Sequence, residues 1–379
     1  MSDIRPYTIN IADDQLDDLK QRLALTRWPD EETPDDWSQG TPLAYMKEVV
    51  DYWQDSYDWR RVEAVLNGYP QFVTELDGVD IHFLHIRSPE AAAQPLIMTH
   101  GWPGSLVEFL KVIEPLSNPA AHGGDAADAF HLVIPNLPGY GFSGKPTGPG
   151  WGVEKIGREW ANLMARLGYE RYFAQGGDWG SMVTTMIGIQ DQEHCAAIHT
   201  NMPVVGPDSS TMDDLTELEK SALAGMQYYQ DWDSGYSKQQ STRPQTVGYG
   251  LVDSPAGQAA WIIEKFWAWT DSDGHPENVL TRDELLDNVM FYWLNAAGAS
   301  SARLYWESFG KAGDFGDVTV PTGISIFPKE IFRASRRWAE RRFKNIIHWN
   351  ELEKGGHFAA FEKPATFVDE VRTCFRAVR

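Results

Sequence analysis

"GGDWGS", residues 176–181, places a glycine two positions before Asp178 and another two positions after it. That spacing is what a nucleophile elbow requires, because a sharp strand-to-helix turn leaves no room for bulk at those positions. Upstream, "RYFA" (171–174) reads as a short buried strand, and "SMVTTMIGIQDQ" (181–192) reads as the following helix. The residue at the centre is a carboxylate. It has no proton to give up and attacks differently from a hydroxyl.

The pattern around the elbow extends in both directions. "PLIMTH" (95–100) and "FHLVIPN" (130–136) are apolar strand candidates, and "WGVEKIGREWANLMARLG" (151–168) is a helix that stops at Gly168. Strands alternating with helices imply a mostly parallel sheet covered on both faces, an α/β architecture. The first 90 residues differ in texture. "ADDQLDDLKQRLAL" (12–25) puts Leu16, Leu19 and Leu23 on one helical face and ends before Pro29. A single helix is expected over "LAYMKEVVDYWQDSYDWRRVEAVLN" (43–67), then a hairpin turning at Asp77-Gly78. Residues 203–305 lose the strand signal and turn helical, with dense Trp and Tyr; strands return at "PTGISIF" (321–327) and "NIIHWNEL" (345–352). The helical stretch therefore reads as an insertion near the carboxyl ends of the strands, where ligands bind in open sheets.

Composition narrows the function. The chain has 379 residues, of which 42% are hydrophobic, enough for a large core. A formal net charge of −21 argues against nucleic acid or an anionic membrane as partner. Two cysteines, Cys195 and Cys374, are too few for a disulfide framework and fit a reducing compartment. The N-terminus has neither a basic region nor an apolar run, and no stretch approaches the ~20 apolar residues of a membrane helix. A cytoplasmic location is expected. Sixteen Trp are mostly core material, from which a site for an apolar ligand can also draw.

The chemistry is carried by four segments. "THGWPGS" (99–105) follows a strand and can aim a backbone N–H at a developing oxyanion; the partner N–H belongs to the residue after the nucleophile. Those residues are Trp102 and Trp179. His100 is expected to be a structural hydrogen-bonding residue, and Pro103 to follow a cis peptide. His357, in "EKGGHFAAFEKP" (353–364), lies beyond the last strand on a glycine loop and suits a general base. For the acid, "SIFPKEIF" (325–332) offers Glu330 after a strand, with Glu351 and Glu353 as rivals. Nucleophile, acid, histidine is the chain order of α/β-hydrolases.

The chain resembles the microsomal-type epoxide hydrolases of the α/β-hydrolase superfamily. The matching stretches are "LKQRLALTRWPD", "YWQDSYDWRRVEAVLN", "HGWPGS", "PNLPGYGFSGKP", "GGDWGS", "STRPQTVGYGLVDSPAG", "FPKE" and "GGHFAAFEKP", in order over nearly the full length. The resemblance implies an N-terminal meander (1–90), a hydrolase core in two parts (91–202 and 306–379) and a helical lid (203–305). It also implies that Asp178 is the nucleophile, Glu330 the charge-relay acid and His357 the water-activating base. Two lid tyrosines, Tyr236 in "DSGYSKQQSTRP" and Tyr305 in "SSARLYWESFG", should hold the oxirane oxygen; Tyr228, Tyr229, Tyr249 and Tyr292 lie close by. The expected partners are a small apolar epoxide and water, with no cofactor, no metal, no nucleic acid and no membrane. Self-association into a homo-oligomer is left open. The N-terminal anchor of membrane-bound members is not expected here. A haloalkane dehalogenase, which also uses an elbow aspartate, and a non-catalytic binding protein on the same scaffold are the alternative readings.

Overall fold

The computed structural model describes residues 3–309 and 316–379. Among them, nine strands form one sheet: β1 (Arg5–Tyr7), β2 (Gln71–Leu76), β3 (Val79–Ile86), β4 (Gln94–Thr99), β5 (Phe130–Pro135), β6 (Tyr172–Gly176), β7 (Cys195–Thr200), β8 (Thr322–Ile326) and β9 (Ile346–Glu351). Their order is β1-β2-β3-β5-β4-β6-β7-β8-β9. The edge from β1 to β5 is antiparallel, and from β5 to β9 every neighbour is parallel. This is the α/β-hydrolase fold. Strands β6 and β8 are buried at every position, so both sheet faces must be covered. Helices Leu110–Ser117 and Pro364–Arg376 pack together as one such cover, and Val153–Arg166 with Asp178–Gln190 as another.

The hairpin between β2 and β3 turns as its sequence dictates: Asp77 and Gly78 take φ of +42° and +81°, the primed turn whose twist suits flanking strands. The expected single helix over 43–67 is instead two, Leu43–Asp55 and Trp59–Asn67. Asp58 causes the break. Its carboxylate accepts the Arg60 N–H at 2.9 Å, a local N-cap that starts a fresh helix. Strands β1 and β7 were not anticipated, because "RPY" and "CAAIHT" carry too little periodicity to separate strand from loop or helix.

Between β7 and β8 the described residues form six α-helices, from Glu217–Tyr228 to Gly298–Ser308. The N-terminal helices hold this insertion through polar contacts, among them a seam of tyrosines and Arg61. Tyr45, Tyr52 and Tyr57 donate to Glu277, Asp283 and Asp287, each at 2.8 Å. Arg61 reaches both oxygens of Asp287. Among the described residues no helix is long and apolar enough to cross a membrane.

Candidate active site

Asp178 ends the turn after β6 and begins the helix Asp178–Gln190, at φ +49°. A non-glycine residue in this left-handed region costs about 1–2 kcal/mol, which the packing around it must hold in place. The two glycines are explained by contact. A Cβ at Gly180 would overlap the Thr99 carbonyl, and one at Gly176 would overlap the Gly180 carbonyl. A Cβ at Gly101 would collide with Asp178 Oδ1 itself. The loop after β4 is therefore pressed against the nucleophile position. Its Trp102 N–H donates to Asp178 Oδ1 at 2.7 Å, and the Trp102–Pro103 peptide is cis, as expected. Trp179 lies in the first helical turn, where an N–H has no intrahelical acceptor.

Two loops bring Glu330 and His357 to Asp178. Glu330 follows β8 and His357 follows β9, and the Lys329 N–H bonds the Gly355 carbonyl at 3.1 Å, tying the loops together. His357 Nδ1 is 2.7 Å from Glu330 Oε1, and its Nε2 is 3.2 Å from Asp178 Oδ2. The His357 amide donates to the Trp269 carbonyl at 2.9 Å, which fixes the loop against the helical insertion. Burial disfavours the imidazolium, yet Glu330 and Asp178 outweigh it and hold His357 well above its ordinary value. Glu351 and Glu353 are exposed, and Glu351 instead accepts from the Trp349 indole. His100 is buried between the Gly101 carbonyl and the Leu137 N–H, a structural residue as expected.

The two expected tyrosines meet over the loop after β4. Tyr236 stacks on the Trp102 indole at 4.7 Å and 8°, and Tyr305 meets the same indole edge-on at 5.8 Å. Their rings are 5.7 Å apart at 82°. Tyr305 also packs edge-on against Trp179 at 4.7 Å. Burial raises both phenols well above their ordinary value, so each remains a proton donor across the physiological range. Tyr236, Tyr305 and Asp178 line one cavity of about 220 Å³, whose other walls include Trp179, Phe309 and Phe332.

Several partners were not foreseen. The Tyr229 hydroxyl lies 3.0 Å from that of Tyr236 and shares the cavity. Of the other nearby tyrosines, Tyr228 and Tyr249 are exposed, while Tyr292 is buried and donates to the Gly104 carbonyl. The lid tryptophans do not line the cavity. Trp232 is 81% exposed, Trp267 stacks on Trp37, and Trp269 packs at 5.0 Å against His357. The apolar wall is drawn from four separate segments, with Trp179 and Met182, Met202 and Val204, Phe309, and Ile331 and Phe332, which no one stretch of sequence announces.

A partly buried carboxylate at the elbow of an α/β-hydrolase fold, with a His–Glu pair on one side and two phenols lining the same cavity, defines a hydrolase with an aspartate at the elbow. Comparison with known proteins narrows the class. Residues 4–109 match the family profile "Epoxide hydrolase N terminus", and residues 94–246 match "alpha/beta hydrolase fold". A protein of Stigmatella aurantiaca (strain DW4/3-1) is 54% identical over 376 residues, covering 99% of this chain and 86% of its own. Epoxide hydrolase 1 of Sus scrofa is 35% identical over 398 residues, covering 97% and 88%. The crystal structure of juvenile hormone epoxide hydrolase from the silkworm Bombyx mori superposes with a TM-score of 0.92 at 30% identity, covering 100% of this chain and 95% of its own. The chain belongs to the epoxide hydrolase family.

Proposed function

We propose that this protein hydrolyses an apolar epoxide to a vicinal diol through an alkyl ester on Asp178. An epoxide is strained at sp³ carbon and leaves as an alkoxide. Attack by ionised Asp178 forms the carbon–oxygen ester bond and opens the ring, splitting one difficult step into two. Tyr236 and Tyr305 donate to the epoxide oxygen, and one of them protonates the emerging alkoxide. In the second step His357 takes a proton from water attacking the ester carbonyl, with Glu330 holding the ring and stabilising its cation. The oxyanion then points at the N–H groups of Trp102 and Trp179, where losing one donor costs about 3–4 kcal/mol. A serine at this position would form an ether that no neighbouring water cleaves.

The observation that carries this reading is the shared cavity: two protonated phenols and the Asp178 carboxylate face one apolar space. A single turnover with excess enzyme in ¹⁸O-labelled water tests it. The first diol is expected to be unlabelled, with the label in the Asp178 carboxylate; label in that diol overturns the ester. A second reading, dehalogenation of a haloalkane, is favoured only by the Trp179 indole N–H, buried beside the cavity with no partner among the described residues. Halide release with no turnover of any epoxide would establish it instead.

A further inference from the structure

The two phenols of the site have different surroundings. The Trp102 indole lies nearly parallel to one face of Tyr236, at 4.7 Å. The Lys265 ammonium lies over the same ring, 4.7 Å from its centroid. A stacked indole leaves no room for a cation on its own side, so Lys265 covers the opposite face. Tyr305 is enclosed by the rings of Trp102, Trp179 and Phe309. Among the described residues no ammonium or guanidinium lies over it.

Lys265 is costly to place here. It belongs to the helix Pro255–Trp269, and its side chain is only 5% exposed. A lysine is buried to this degree only when it is paired. Asp233 Oδ1 lies 2.5 Å from the ammonium and Glu264 Oε2 lies 2.7 Å from it. Asp233 gives its second oxygen to the Trp269 indole N–H, also at 2.5 Å. Burial raises the Glu264 carboxyl above its ordinary value against the pull of Lys265, which moves it toward its neutral form. Replacing such a buried pair by apolar side chains is often neutral or stabilising, so packing alone does not account for a charge at this place. Lys265, Asp233 and Glu264 do not line the cavity that Tyr236 shares with Asp178. They border a separate space on which Tyr236 also opens.

We infer that Lys265 is a positioning residue for proton transfer from Tyr236: it holds the ring against Trp102 and stabilises the negative charge the ring takes up. The inference rests on the ester mechanism proposed above. As Asp178 attacks, the oxirane carbon–oxygen bond breaks and the alkoxide takes the Tyr236 proton, leaving a phenolate. A cation over the ring attracts a phenolate more strongly than a phenol, so the contact strengthens as the proton leaves. Tyr305 donates a hydrogen bond to the same oxygen. In the hydrolysis, His357 passes one water proton to the second alkoxide. The other stays on the Asp178 carboxylic acid, from which it returns to the phenolate. One epoxide and one water thus give one diol, and Lys265 keeps its protons throughout.

The test separates the two steps in a single turnover with styrene oxide as probe, following intact-protein mass and diol together. In Lys265→Met, ester formation is expected to slow about 5- to 30-fold, the span of a desolvated cation–aromatic contact. Hydrolysis of the ester should keep its wild-type rate. Lys265→Arg, which retains the cation, should recover most of the loss. The effect must also pass through Tyr236. Lys265→Met should cost the same factor in a Tyr305→Phe background and nothing further in a Tyr236→Phe background. Because Lys265→Met leaves Asp233 unpaired, Lys265→Met combined with Asp233→Asn, which keeps an acceptor for Trp269, decides the matter should the single variant not fold. Wild-type ester formation in that combination, an equal slowing of both steps, or a further loss in the Tyr236→Phe background overturns the inference. Should the wild type itself form no ester, the proposed function falls first, and the inference with it.

Discussion

His357 Nε2 lies 3.2 Å from Asp178 Oδ2, so the imidazole proposed as base is within reach of the carboxylate proposed as nucleophile. The pair has a consequence for the order of events. Asp178 helps to hold the imidazole above its ordinary value, and in the proposed mechanism esterification removes that negative charge. The ring then releases its proton more readily, at the moment when a base is needed.

Asp178→Asn imitates the esterified state in charge. His357 is expected to titrate at lower pH in this variant than in the wild type, as followed by the ring resonances in NMR. The sign carries over to folding. Because the folded-state value is raised, His357 contributes stability that is complete below its unfolded value of about 6.5 and is lost as pH rises through the folded value. Asp178→Asn should therefore shrink the alkaline loss of stability. An unchanged His357 titration would rule out the coupling.

His357→Gln should form the ester and fail to release it. Removing a general base costs about 10²–10⁴-fold, so an intact-protein mass increase equal to the epoxide should persist after substrate is exhausted. A variant that neither accumulates the adduct nor loses turnover would show that His357 has another role.

Tyr236→Phe and Tyr305→Phe should act on the opposite step. Each is expected to slow ester formation by about 10²–10⁴-fold, as loss of a general acid does, while hydrolysis of an ester already formed continues at its usual rate. Tyr229→Phe should be much milder, because its hydroxyl meets that of Tyr236 at the cavity wall. Stopped-flow quenching of indole fluorescence follows the first step, since Trp179 borders the cavity.

Arg61→Met tests the seam that joins the N-terminal helices to the insertion. Asp287 is buried, and burial raises its carboxyl to about 6 against the pull of Arg61 and Tyr57. Losing the guanidinium should cost about 1–2 kcal/mol, reduced from a fully buried pair because Arg61 is 42% exposed. The folded state binds the Asp287 proton more tightly than the unfolded chain, so stability falls as pH rises from about 4 toward 6. The melting-temperature difference from wild type should be small near pH 4 and widest above pH 6. An equal difference at both would place the effect outside Asp287.

Local signals in the sequence carried a large part of this site. The paired glycines around Asp178, the cis-prone Trp102-Pro103 step and the glycine loop before His357 each answer to backbone geometry within a few residues. Glu330 was harder, since Glu351 and Glu353 stood as rivals until the loops after β8 and β9 were seen tied together at Lys329 and Gly355. The expected helix over 43–67 divides for a local reason as well: Asp58 accepts the Arg60 N–H and caps a second helix, which periodicity alone does not show.

What the sequence by itself determined is the alternation of strand and helix, the elbow, and the chemical type of each group at it. These depend on residue size, periodicity and turn chemistry over short spans. Only the tertiary structure decided which groups face one another. Tyr229 beside Tyr236, Trp102 beneath both phenols, and Trp269 against His357 all join segments far apart in the chain. Such contacts are made by packing of whole elements, and packing leaves no periodic mark in the segments it brings together.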